Sequence, residues 1–463
     1  MSNNPSPRQQ QRAQMMLNEP ISRVIPKMAI PTIVAFIINS VYSLADTYFV
    51  SSLGTNATAA VSVNASLDQL IMMTGSLLAI GANSYIARLL GEGRDKKAST
   101  VLSSAFFIAF GLGTVLMALG IAFTTPMVRL LGATDTCLEY SVDYATYVLL
   151  AAPFMASSFV MNQCLRSEGS ATLSMIGMGF GGILNCVLDP IFIFTFDMGV
   201  AGASLATAIS KLVSFAILIF PYITRKSMLH LSIRNCRPTF SILAQIISVG
   251  SSSMFRSLLG VVAGIMLNKL AGGISDSVLA GIGVTTKIMM FPFSIILGFG
   301  SGFQPVAGFN WGAKRYDRVR ESYRFSSIVA LVGSAVMALI VALLANPIIT
   351  AFAGTDPQMQ EIGALSIRLQ CIALPIHAWV AVVNMFCVGL GNARDAFILA
   401  TARQGSCFIP ILYPMAFLWA EYGIASAQAA ADVLTLVLAV PIIIGMLKKV
   451  TRAEQALAAE QTE

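Results

Sequence analysis

The stretch NSVYSLADTYFVSSLG, Asn39 to Gly54, decides how the chain is read. It lies within a run from Met28 to Arg88 whose only charged residues between those ends are Asp46 and Asp68. So apolar a run reads as membrane-embedded. A carboxylate inside a membrane helix is costly, by roughly 2.5–3.5 kcal/mol on insertion scales, and it marks a pathway for protons, ions or substrate. Asp46 is therefore the first candidate for a cation-coupling site.

Composition agrees over the whole chain. Of 463 residues, 56% are hydrophobic and 11% charged, against about 25% charged in globular chains. Mean hydropathy is +0.76. With about 20 apolar residues per span, the length holds about a dozen helices. A soluble domain is excluded, because no polar stretch is long enough to form one. The net charge of +7 is assigned to cytoplasmic loops, since Lys and Arg resist translocation. Basic and aromatic residues are not interleaved as in a nucleic-acid groove. The seven cysteines are odd in number and lack metal spacing, so they read as small apolar packing residues. Residues 1–20 have no apolar core, so span 1 is expected to act as its own insertion signal.

Twelve spans are predicted at 26–50, 57–87, 98–123, 137–165, 170–196, 199–224, 241–270, 276–309, 322–346, 358–388, 394–419 and 423–447. Basic loops such as ARLLGEGRDKKA and GAKRYDRVRESYR fall on the inner side, and acidic loops around Asp135, Asp356 and Glu421 on the outer. Both termini are then cytoplasmic in a multi-pass cell inner membrane protein. The expected organisation is a mobile cytoplasmic tail at 1–23, an N-lobe at 24–224, a basic linker at 225–240, a C-lobe at 241–447 and a cytoplasmic tail at 448–463. Pro31 inside span 1 predicts a bend.

The two halves repeat. Gly81 matches Gly302 and Gly91 matches Gly312 at 221 positions; Pro153, Asn162 and Gly169 match Pro375, Asn384 and Gly391 at 222. Six spans per copy give both copies one orientation in the membrane, which suits two bundles rocking about a shared cavity.

Asn185 and Asp189 are four apart and share a helix face of span 5. Thr207 of span 6 offers a hydroxyl at similar depth. Carboxylate, amide and hydroxyl oxygens suit a hard cation such as Na⁺, and two close carboxylates can instead share a proton. The alternative is that Asp189 caps a turn before Pro190, with Asn185 and Thr207 as ordinary interhelical hydrogen bonders. Asn39, Tyr42, Asn162 and Met178 are candidates to line a substrate cavity, with packing the alternative. Asp68 reads by default as a satisfied buried polar group. The second half is less acidic: it carries Arg256, Lys287, Arg368 and His377 in or near apolar runs, and Asp46 has no acidic counterpart near Leu267 or Asn268. No nucleotide loop, His cluster or nucleophile elbow appears, so the chain is not read as an enzyme.

The motifs LADTYFVSSLG with Pro31, GEGRDKKA, NCVLDPIF, GVAGASLATA and GFQPVAGFNWGA together resemble the multidrug and toxic compound extrusion (MATE) family, in its DinF-like prokaryotic branch. The resemblance covers about 24–447. It implies an all-α polytopic membrane protein of twelve helices in two pseudo-symmetric six-helix bundles. It implies export of amphipathic, often cationic compounds against Na⁺ or H⁺ entry, with no other cofactor. It implies an N-lobe cation site at Asp46, Asn185, Asp189 and Thr207, and a span 1 that bends at Pro31. Expected partners are small molecules and the lipid bilayer, with no nucleic acid and a monomeric state. The alternative function is a lipid-linked oligosaccharide flippase of the same superfamily, which would ring its cavity with Arg and Lys.

Overall fold

The computed structural model describes residues 7–353 and 356–462, and the described residues are helical with short connections. Spans 1 to 6 are Ile21–Ser51, Thr55–Gly91, Asp95–Ala122, Leu138–Ser167, Ala171–Pro190 with a π turn at Ile191–Thr195, and Gly199–Ile223. Spans 7 to 10 are Phe240–Ile274, Asp276–Gly312, Tyr316–Leu343 and Pro357–Gly389. Span 11 begins as Ala393–Thr401, passes a π turn at Ala402–Ser406 and resumes at Phe408. Helical bonding then runs to Thr462, broken at Ala420 (φ 45°, ψ −124°). The chain reverses there: Arg403 meets Asp432, and Gly423 lies against the backbone of Met415. Span 12 is the arm after the reversal, which brings the spans to twelve.

The repeat reappears as geometry. Asn162 Nδ2 donates to the Ser174 carbonyl at 3.0 Å, and Asn384 Nδ2 donates to the Ala396 carbonyl at 2.8 Å. Both donors and both acceptors are 222 positions apart. Gly169 and Gly391 end their helices at φ 73° and 76°, the left-handed conformation that suits glycine after a helix. Short helices Thr124–Leu130 and Ala345–Ala353 follow spans 3 and 9 in the two copies.

The halves meet by backbone. A Cβ on Gly81 of span 2 would lie 2.0 Å from the Ile246 carbonyl oxygen of span 7, and one on Gly250 would lie 1.8 Å from that of Leu77. Span 8 approaches span 1 equally closely, Gly302 against Ala29 and Gly298 against Ile33. Gly312 packs on Arg88, and the Ser84 hydroxyl donates to the Val388 carbonyl. Among the described residues, these inter-lobe glycine contacts all lie toward the end where the N-terminal helix sits. The N-terminal part of span 2 instead packs within its own half, with Asn64 bonded to the Ser141 carbonyl and Gly75 against Ala156.

One expectation needs correcting. The segment 1–23 is not a loose tail throughout, because Pro7–Asn18 is a helix seated on the C-terminal half. Arg318 donates to the carbonyls of Met16 (3.2 Å) and Glu19 (2.7 Å) and to Asn310 Oδ1 (3.0 Å), while Met16 is buried. Span 1 runs as one helix through Pro26 and Pro31. The Thr32 hydroxyl donates to the Met28 carbonyl at 2.8 Å; such hydroxyls help satisfy backbone groups near a proline in a membrane helix. The segment 448–462 continues the last helix, and Arg320 pairs with Glu454.

Bonds to a charged donor are worth about 1.5–3 kcal/mol each. Arg318→Met is therefore expected to free the N-terminal helix. Limited trypsin digestion at Arg12 should speed up by roughly tenfold or more, since about 1.4 kcal/mol is a factor of ten. Cleavage at the wild-type rate would show that the helix is held by other contacts.

The linker after span 6 is fastened at Glu168, which lies just beyond span 4. Its carboxylate accepts from Tyr222 Oη (3.1 Å), from the Met228 amide (2.7 Å) and from the Ser227 hydroxyl. Burial pushes its pKa up from 4.5 to about 7, against the opposing pull of those donors and of Arg12. Below 4.5 the group is protonated in folded and unfolded chains alike. Between 4.5 and about 7 the unfolded chain ionises first, so this group's contribution to stability falls as pH rises through that window. Glu168→Gln should flatten the pH dependence of the melting temperature there. An unchanged slope would remove Glu168 as its source.

Candidate functional site

Span 1 packs along span 5 in the same direction. Gly179 and Gly182 of span 5 face Ile38, and a Cβ on Gly182 would lie 3.6 Å from the Tyr42 Cβ. With about 1.5 Å rise per residue on both helices, Asp46 comes level with Cys186 and Asp189 one turn further on. The small residues permit the approach, and the spacing sets the depth. Span 6 closes the third side, where Asn185 Nδ2 donates to Thr207 Oγ1 at 3.1 Å.

All four side chains are withdrawn from the surface: Asp189 is 0% exposed, Asn185 1%, Thr207 3% and Asp46 9%. Asp46 and Asp189 lie within electrostatic reach of one another. Asp46 Oδ1, both carboxylate oxygens of Asp189 and Asn185 Oδ1 are buried without a hydrogen-bond partner. Such oxygens normally find donors. Four such acceptors lie in one bundle. No group of three or more His, Cys, Asp or Glu among the described residues is arranged to hold a metal ion. The donor set is thus two carboxylates, an amide and a hydroxyl, the hard-oxygen chemistry of an alkali cation.

A cavity of about 400 Å³ lies between the halves beside this site. Asn39 and Tyr42 line it, together with Asp68, Lys211 and Arg256. Asn162 is placed elsewhere. Its amide holds Ser174, and its Oδ1 accepts from Arg166 Nη2 at 2.7 Å, in a buried network with Gln163 and Asn83. Asn162 is thereby a tie between helices, and Met178 is not among the residues lining the cavity. Asp68 is not a satisfied polar group: its Oδ1 has no hydrogen-bond partner. It faces Lys211, whose Nζ sits 4.9 Å from the Tyr42 ring centroid and within electrostatic reach of Asp46 and Asp68. Sequence reading passed over Lys211. The signal was available, since Lys211 follows Thr207 by four positions and shares its helix face.

The second half does hold a buried acid. Asp432 of span 12 pairs with Arg403 Nε at 2.6 Å, their side chains 4% and 14% exposed. The sequence reading, which found the second half less acidic, did not single out this residue. Asp432 was missed inside the small-residue run AQAAADVL, and Arg403 because it lies where span 11 changes to a π turn.

The fold defines a polytopic helical membrane protein, built from a repeated six-span unit, with a buried polar cluster inside one bundle. The sequence model of the MatE family matches residues 31–191 and 252–413. The two matches are displaced by the repeat offset, and each takes in spans 1 to 5 or their counterparts. The chain belongs to the MatE family. It is 28% identical to the multidrug export protein MepA of Staphylococcus saprophyticus over 90% of this chain and 92% of that one. It is 25% identical to MepA of Staphylococcus haemolyticus over 93% and 95%. Its fold matches a MATE structure in complex with MaL6 (TM-score 0.89, 23% identity, 96% and 99% covered). It also matches an outward-facing multidrug resistance MATE transporter of the MOP superfamily (TM-score 0.88, 23% identity, 96% and 98% covered).

Proposed function

We propose that this protein is a secondary active multidrug exporter, which moves amphipathic, often cationic compounds out of the cell in exchange for Na⁺ or H⁺. The observation that carries this reading is the cluster of open buried oxygens on Asp46, Asn185 and Asp189 beside a cavity shared by both halves. Na⁺ would be held by Asp46, Asn185, Asp189 and Thr207; protons would sit on the two carboxylates. A cation there neutralises a charge pair that is otherwise unfavourable in a bundle of low dielectric. Its release from the opposite side follows when the halves part at the Gly81–Gly250 and Gly298–Gly302 contacts and close elsewhere. The MepA relatives, named as multidrug export proteins, support the substrate class. The cavity mixes Asp68, Lys211 and Arg256 with Phe36, Tyr42 and Phe159. That lining differs from the ring of cations a lipid-linked oligosaccharide flippase calls for, and no relative favours that alternative.

The test is transport by the purified protein in liposomes, with Na⁺ and pH gradients imposed separately. A cationic dye should accumulate against its own gradient under at least one of them. Dye movement that ignores both gradients would overturn the exchange reading.

A further inference from the structure

A smaller cavity of about 240 Å³ opens within the C-terminal half, between spans 7, 8, 10 and 11. One wall is polar, with Arg256, His377 and Arg403; the other is apolar, with Phe293, Val380 and Leu399. Arg256 lines this cavity and the inter-lobe cavity alike, so it stands at their junction.

The charges there do not balance. Lys211 has Asp46 and Asp68 near it. Arg403 is neutralised by Asp432 and lies over the Phe293 ring at 4.5 Å, which fixes its plane. Arg256 makes one hydrogen bond, to Ser253 Oγ at 3.3 Å, and no carboxylate among the described residues pairs with it. His377 Nδ1 is buried without a hydrogen-bond partner, 3.9 Å from Asp432 Oδ1. With both arginines charged and one carboxylate present, the cavity carries net positive charge beside a partly aromatic wall. A guanidinium offers a planar fork of donors that matches a carboxylate. The volume is below the roughly 300 Å³ at which pockets take drug-sized molecules, so it suits a body of one or two rings.

We propose that this cavity is a subsite for a carboxylate-bearing aromatic or aliphatic group, with the anion on Arg256 and the apolar body between Phe293, Val380 and Leu399. The proposal rests on the exporter reading, because it adds a substrate class to that pathway: molecules with an acidic group on a compact apolar frame. Arg256 is the anion-recognising residue. Arg403, held by Asp432 and the π turn, positions the polar wall.

The experiment is calorimetric titration of the full-length protein in detergent with 2-naphthoate and its uncharged isostere 2-naphthamide. The acid is expected to bind at least tenfold more tightly than the amide. Arg256→Gln should bring the two within twofold of each other, and Arg256→Lys should keep part of the preference. Gly260→Leu, whose new side chain enters open space in the cavity wall, should weaken the acid tenfold or more with Arg256 intact, a check that does not depend on how the Arg256 variants fold. Equal binding of acid and amide to the wild type, a preference that survives Arg256→Gln, or unweakened acid binding to Gly260→Leu would each overturn the proposal. Dye exchange in liposomes separates the two readings. Its failure with the acid preference intact falls on the exporter, and loss of the preference with exchange intact falls on the subsite.

Discussion

Asp46→Asn is expected to abolish ion-coupled efflux while leaving the protein folded. The substitution keeps the shape of the side chain and removes one charge from a set of four groups. Two unit charges 4 Å apart interact by about 4 kcal/mol at an effective dielectric of 20. Losing one carboxylate should therefore weaken a bound cation by up to roughly three orders of magnitude, at about 1.4 kcal/mol per tenfold. Proton coupling suffers as severely, because an amide takes up no proton in that range. The measurement is dye efflux from everted vesicles under an imposed gradient, with the amount of folded protein checked by size exclusion. Asp189→Asn should impair ion dependence in the same way, because its two oxygens are as buried and as open as that of Asp46. Efflux at normal rates in Asp46→Asn would remove that residue from the coupling site.

Arg403→Met should produce the largest loss of stability. The guanidinium of Arg403 is the only salt-bridging partner within hydrogen-bond distance of Asp432 among the described residues. Removing it strands a carboxylate that is 4% exposed. Breaking one side of a buried pair costs about 3–5 kcal/mol, whereas replacing both partners by apolar groups of similar volume is often neutral. The single variant should melt well below the wild type, and Arg403→Met combined with Asp432→Leu should recover most of the difference. Melting curves of the purified proteins in one detergent settle the comparison. If the double variant is no more stable than the single one, the packing of the π turn at Ala402–Ser406 is the dominant factor rather than the charge.

Much of the architecture was legible in the chain. Span positions follow from apolar length, and the observed helices mostly extend the expected ones by a few residues at either end. The matched glycines and asparagines pointed to the duplication, and the structure gives each pair a role: Asn162 and Asn384 tie the same two helices in each copy. The carboxylates of the first bundle were legible for one reason, the expense of a charge in an apolar helix.

The same reasoning failed where a charge was masked by its surroundings. Asp432 sits among alanines in a helix whose start was blurred by the turn at Ala420. Lys211 reads as an ordinary polar residue until its reach to Asp46 and Asp68 is known. Asn162 is a cavity candidate by sequence with packing as the alternative, and only the positions of Arg166 and Ser174 show that its amide is already engaged.

Local sequence thus determined which segments cross the membrane, that they come in two copies, and which acidic groups of the first half are costly to place inside a span. These properties depend on the transfer of short stretches between water and lipid, which needs no partner helix. Tertiary structure decided which polar groups satisfy one another and which are left open, where the two halves touch, and that the N-terminal helix lies on the second half. Those outcomes depend on distances of a few ångströms between residues far apart in the chain, and hydrogen bonding and ion pairing fall off too steeply for anything but the assembled bundle to fix them.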